Sequence, residues 1–173
     1  MKTDKALLKL GCQSLLSHAH ATLSNTALDT VMVSGEKHGG IPDIIPMKGP
    51  LSGIHSSLHS GNVNRGDRLL VLPVDIPFMR VQTLNTLVTH SRRTQQSCYY
   101  VQSYLPACFV VSECFEHYIN RVFETTQTYS VRSLLEAVNA HALERFDTSD
   151  FFNVNQPQDW ETVNKSLALS MMG

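Results

Sequence analysis

Apolar positions along this chain follow two patterns, one recurring every three to four residues and one so dense that alternation disappears. The two take turns. Leu15, Leu16, Ala19 and Leu23 recur at helical spacing and predict a helix from Ser14 to Leu23. Thr30-Val31-Met32-Val33, ending at Ser34-Gly35, reads as a strand buried on both faces, and Gly39 to Asp43 as a loop. Pro50 opens a helix reaching Ser60 with Leu51, Ile54, His55 and Leu58 on one side, since proline suits a first turn whose N–H has no intrahelical partner. Gly61 to Gly66 is a turn region, and Arg68 to Asp75 is the strongest strand, ending on a carboxylate. A helix over 81–89, strands over 98–101 and 107–111, and helices over 113–123 and 131–140 complete the pattern, with Ser130 as a cap. Pro157 and Asp159 open a terminal helix that holds the only tryptophan, Trp160.

This alternation predicts an α/β fold around a mostly parallel sheet, in one domain of 173 residues without internal repeat or linker. A hydrophobic fraction of 42% and a charged fraction of 17% fit a globular chain. The net charge of -1 provides no electrostatic attraction for nucleic acid or for an acidic membrane. No apolar run approaches the length that spans a bilayer, and Met-Lys-Thr-Asp-Lys does not begin a signal peptide, so a cytoplasmic protein is expected. Cys12, Cys98, Cys108 and Cys114 form no CxxC pair and read as isolated buried thiols rather than a disulfide framework.

Ligands of open α/β sheets bind beyond the carboxyl ends of the strands, where Asp75 lies between Val74 and Ile76-Pro77. A carboxylate there can hold a divalent cation shared with a nucleotide's phosphates, or it can cap the next helix. Asp43 lies in a second loop, ahead of Lys48-Gly49-Pro50-Leu51-Ser52-Gly53-Ile54. Small residues at a helix start expose backbone N–H groups to an anionic ligand, and they also make an ordinary tight junction. Lys5 can neutralise a leaving pyrophosphate, yet alone it reads as a solvated charge.

The order of these segments resembles the MobA-like nucleotidyltransferases. DKALLKL with Lys5, IPD ending at Asp43 before KGPLSGI, LPVDIPF with Asp75, and FFNVNQPQDW match from Asp4 to Trp160. The resemblance implies a Rossmann-like three-layer sandwich that moves GMP from GTP onto molybdenum-molybdopterin and releases pyrophosphate, with Mg2+ as cofactor. It points to Lys5 and Asp75 as catalytic, with Asp75 on the metal. Lys5, Ser34, Asp43 and Asp75 would hold the nucleotide, and Gly49, Pro50, Leu51, Asn153 and Asn155 the pterin substrate. Molybdoenzyme chaperones are the further partners it implies. A CTP-using relative, or a non-catalytic domain that binds molybdopterin or a partner, is the alternative.

Members of that family begin with a buried strand and a loop of the form LAGGxSxRMGxDK. Here Met1 stands at the methionine of that motif and Lys2 at its glycine. The expectation is therefore a sheet without its first strand and glycine-rich loop, an exposed apolar slot in their place, and weak or absent turnover by the chain as written. His55 and His59, four apart, have a spacing that can hold zinc but read as groove or surface histidines. Arg92-Arg93 reads as a solvated helix end.

Overall fold

The structure is a computed structural model, which describes residues 4–45, 49–122, 124, 130–144, 147–155, 158–160 and 163. A short 3-10 turn at Lys5–Leu7 leads into a two-strand hairpin, β1 (Lys9–Leu10) and β2 (Gln13–Ser14), and then α1 (Leu15–Ser24). There follow α2 (Pro50–Leu58), β3 (Arg68–Val71), α3 (Val81–Thr94), β4 (Cys98–Tyr100), β5 (Ser103–Val110), α4 (Glu113–Arg121), α5 (Val131–Ala137) and β6 (His141–Leu143). Serine hydroxyls start three of the helices. Ser14 accepts from the Ser17 N–H, Ser112 from that of Phe115, and Ser130 from that of Ser133 in a reciprocal capping box.

The main sheet has the order β3-β5-β4-β6. The parallel pairing expected of it occurs between β4 and β6, whereas β5 runs antiparallel to both β3 and β4. The connection from β4 to β5 is only Val101-Gln102, with Gln102 at φ 62°, and so short a turn can return the chain only as a hairpin. Alternate residues of β5 then feed two cores. Ala107 and Phe109, with Val111 just past the strand, pack with Leu51 and Ile54 of α2, Phe115 and Ile119 of α4 and Leu134 of α5. Cys108 faces the other way, with Leu84, Leu87 and Val88 of α3, Cys98 and Tyr100. Helices thus cover both sheet faces, which is the α/β three-layer arrangement expected.

The expected strand at Thr30–Val33 is not formed as a ladder. Its neighbourhood makes a single parallel bridge, Ser34 to Ile41, in which the Ile41 N–H donates to the Val33 carbonyl at 2.8 Å. A run this apolar needs a neighbour along each edge. Toward β3, however, the described residues leave a cavity of about 620 Å³, lined by Val31 and Met32 on one side and by Leu70 and Leu72 on the other. Among the described residues β3 is correspondingly an edge strand, and its ladder stops at Val71, where the register next brings Leu72 opposite Pro106. The helix expected over 81–89 runs on to Thr94, and the helices at 113 and 131 end at Arg121 and Ala137. Cys98 and Cys108 face one another across β4 and β5 and are fully buried, while Cys12 and Cys114 are exposed, contrary to four buried thiols. Burial pushes the Cys98 thiol up to about 12. Among the described residues no helix is long and apolar enough to cross a membrane.

Two histidines carry a pH dependence. Burial, reinforced by the neighbouring His59, lowers the pKa of His55. His90 is lowered first by burial, then by His141, whose ring stacks on it at 4.9 Å, and by Arg93. A histidine whose folded pKa lies below its unfolded value takes up its proton first in the unfolded chain. Stability is then lost as pH falls from about 6.5 toward the folded values. The urea midpoint is expected to drop between pH 7.5 and pH 5, and to drop less in His90→Gln. An equal drop in that variant removes His90 from the account.

Candidate functional site

Three segments distant in sequence meet at the carboxyl end of β3. The chain leaves the strand through Leu72-Pro73-Val74, and Asp75 follows before Pro77 turns it away. The Asp75 carbonyl accepts the Val154 N–H at 2.8 Å, which ties the C-terminal segment to this corner. The Lys5 ammonium donates to Asp75 Oδ2 at 2.9 Å and to Asn155 Oδ1 at 2.7 Å. Asp4, one residue earlier, caps the Lys5–Leu7 turn by accepting the Ala6 N–H, and so fixes where Lys5 starts. Leu10, Leu15, Val154 and Val163 form a small core beneath, with Phe78 against Phe152 at 5.9 Å. Asp75 is not a helix cap, because the residue flanking α3 is Arg80.

The cluster is partly buried, with 30% of the Lys5 side chain and 20% of that of Asp75 accessible. Its ion pair adds little net stability, because the desolvation of two partly buried charges offsets their attraction. Its chemical content is a cation seated between two hard oxygen donors from remote parts of the chain. Such donors suit a magnesium ion that brings phosphate oxygens and water for its remaining positions. No group of three or more His, Cys, Asp or Glu side chains gathers among the described residues. Asp75 supplies the carboxylate of this cluster that could share such an ion with a ligand's phosphates. His55 and His59 lie with ring centroids 4.5 Å apart, and the His59 ring bonds Asn120 at 2.9 Å.

The other half of the site surrounds the start of α2. Gly49 adopts φ 59° and ψ -142°, a conformation open to glycine, and delivers Pro50 into the first turn. Leu51 turns its side chain into the core, with 2% exposure, so it can offer a ligand only its backbone. Ser34 lies against this helix: a Cβ added at Gly53 would come within 2.4 Å of the Ser34 hydroxyl oxygen. The same hydroxyl donates to Asp43 Oδ1 at 3.3 Å. Ser34, Gly49, Pro50, Gly53 and Asp75 all line the 620 Å³ cavity, which connects the two halves. Asn153 is exposed beside the buried Val154. Met1, Lys2, Lys48 and Pro157 lie outside the described residues.

Sequence reading proposed both Lys5 and Asn155 without linking them, although 150 residues separate them and one hydrogen bond joins them. It missed Asp150 altogether, a carboxylate with 1% exposure held by Arg80 and Thr83. A single acid between Ser149 and Phe151 carries no local sign of burial.

The model of the MobA-like NTP transferase domain matches residues 1–146. A molybdenum cofactor guanylyltransferase of Xanthomonas euvesicatoria pv. vesicatoria is 28% identical over 169 residues, 94% of this chain and 87% of that protein. A probable molybdenum cofactor guanylyltransferase of Pelotomaculum thermopropionicum is 25% identical over 175 residues, covering 92% and 83%. Among solved structures, molybdopterin-guanine dinucleotide biosynthesis protein A of Archaeoglobus fulgidus superposes with a TM-score of 0.75 at 18% identity. The match covers 96% of this chain and 92% of that one. The 2-C-methyl-D-erythritol 4-phosphate cytidylyltransferase of Thermus thermophilus has a TM-score of 0.67 at 16% identity, with 95% and 94% covered.

Proposed function

We propose, from the premise that this chain belongs to the MobA-like NTP transferase domain family, that it transfers GMP from GTP to molybdenum-molybdopterin. The observation that carries this reading is the convergence of Lys5, Asp75 and Asn155 at the end of β3. The names of the relatives supply the nucleotide and the acceptor.

In the reaction, an oxygen of the acceptor's terminal phosphate attacks the α-phosphorus of GTP in line. A new phosphorus–oxygen bond forms as the bond to the bridging oxygen breaks, and pyrophosphate leaves with the electron pair. Little covalent chemistry is asked of the protein, so positioning and charge neutralisation supply the acceleration. Lys5 places an ammonium beside the phosphates. Asp43 holds Ser34 toward the guanine side, and backbone N–H groups at the start of α2 meet an anionic or carbonyl group. Asn153 and Asn155 form the rim on the acceptor side. Asp75 would hold a magnesium ion, which would supply positive charge against the nucleotide's phosphates.

The cavity beside β3 bears on how tightly GTP is held. The backbone edges of β3 and of Val31-Met32 both border that space, and neither is paired there among the described residues. Calorimetry with GTP and magnesium tests the reading on this chain and on one preceded by an apolar strand and a glycine-rich loop. The preceded chain is expected to bind at least about tenfold more tightly, because loop N–H groups add phosphate contacts, and to prefer GTP over CTP. If neither form binds although both are folded, the transferase reading fails. Equal binding of GTP and CTP removes the guanylyl assignment alone.

A further inference from the structure

Asp150 is the most enclosed carboxylate among the described residues, with 1% exposure, and it lies outside the Lys5–Asp75–Asn155 cluster. Arg80 Nε donates to its Oδ1 at 2.7 Å, and the Thr83 hydroxyl donates to its Oδ2. Arg80 also reaches Asp147 Oδ2 at 3.0 Å, so one guanidinium ties both ends of the Asp147–Asp150 turn. These pairs raise the Arg80 pKa and keep the guanidinium charged. Both donors lie at the start of α3, five and eight residues beyond Asp75. Both acceptors lie just before Asn153, Val154 and Asn155. The two stretches joined by this ion pair are therefore two of the three that form the site, and they meet again at the 2.8 Å bond from the Val154 N–H to the Asp75 carbonyl.

Beside the bonds at Val154 and Asn155, the upstream part of the second stretch is held by ring contacts. Phe151 meets Tyr100 edge-on at 5.2 Å and Phe152 meets Phe78 at 5.9 Å, contacts that tolerate small shifts. A buried carboxylate held by a directional donor fork tolerates far less, because displacement leaves a desolvated charge unpaired. We propose that Asp150 is a positioning residue: through Arg80 and Thr83 it clamps the Asn153–Asn155 segment onto the end of β3 and sets where the acceptor substrate meets Asp75. The clause about the acceptor rests on the proposed transfer reaction; the clamp does not.

The test combines amide hydrogen exchange with steady-state kinetics on the full chain. Asp150→Asn keeps the shape and an acceptor for Thr83 but removes the charge. In this variant the Val154 amide is expected to exchange about tenfold faster. The Gly66 amide, bonded to the Val111 carbonyl at 2.9 Å away from the clamp, is expected to stay within about twofold. The KM for molybdopterin rises about tenfold while the KM for GTP holds within about twofold. Arg80→Lys, which keeps a charge without the fork, gives the same pattern with smaller changes and serves if Asp150→Asn fails to fold. Equal acceleration at Val154 and Gly66, or no change at Val154, overturns the clamp, and a parallel rise of both KM values overturns the acceptor clause. If the unaltered chain transfers nothing, the transfer reading and the acceptor clause fall together. Selective exchange at Val154 would then still uphold the clamp.

Discussion

Asp75→Asn is expected to lower GMP transfer by about a hundred- to a thousandfold, and to abolish the magnesium dependence of GTP binding, while leaving the fold intact. The substitution removes one charge and changes almost nothing else. The amide oxygen can still accept from the Lys5 ammonium now at 2.9 Å, and the backbone carbonyl still accepts the Val154 N–H. The amide fills the place of the carboxylate, and the desolvation cost of the ion pair offsets much of its attraction, so little stability depends on the charge. What disappears is the carboxylate that meets the Lys5 ammonium at the end of β3, and with it the ability to share a divalent cation with phosphates. Single-turnover transfer from labelled GTP reads the first effect, and calorimetry with and without magnesium reads the second. Activity within about tenfold of the unaltered chain would remove Asp75 from the reaction.

The largest effect on stability is expected from Gly40→Ala. A Cβ at that position would lie 2.2 Å from the Val33 carbonyl oxygen and 2.7 Å from the Val33 carbonyl carbon. Both atoms are backbone; the Ile41 N–H bonds the same oxygen, and the Gly40 N–H is itself held by the Gly35 carbonyl, so both sides of the contact are tied. No rotamer change can relieve the clash. The Ser34–Ile41 bridge must open, at a cost of about 2–3 kcal/mol, readable as a lower urea midpoint with an unchanged slope. GTP binding should weaken as well, since Ser34 and Asp43 flank this turn. Gly53→Ala makes a partial contrast: rotation can relieve its 2.4 Å clash with the Ser34 hydroxyl, but its 2.9 Å approach to Ser34 Cβ needs a small backbone shift, so nucleotide affinity should fall together with some stability. A Gly40→Ala protein as stable as the original would show that the turn carries less of the fold than its geometry implies.

Local pattern was a good guide wherever the physics is local. The Pro50 helix, the hydroxyl cap at Ser130 and the strand leading to Asp75 were all legible, because propensity, capping chemistry and apolar density act within a few residues. Thr30–Val33 has the composition of a buried strand, yet a strand is completed by its neighbours, and none pairs with it toward β3 among the described residues. The direction of β5 was hidden for a similar reason: it is decided by the two-residue turn at Val101-Gln102, not by the residues of the strand. Of the site, the positions of Lys5, Asp43, Asp75 and Asn155 came from the order of motifs. Their contacts did not, since bonds spanning 70 and 150 residues leave no periodic trace. Asp150 was invisible for the complementary reason, being an ordinary acid until the fold encloses it.

The thiols of β4 and β5 have a consequence for anyone handling this protein. Cys98 and Cys108 are sealed between the sheet and α3, and at neutral pH the raised Cys98 pKa keeps that sulfur in its unreactive protonated form. Cys12 and Cys114 stand in solvent. An alkylating reagent therefore meets two populations, one consumed at once and one available only when the centre of the sheet comes apart. The slow population is a built-in clock for sheet opening, and it keeps time without any label having to be introduced.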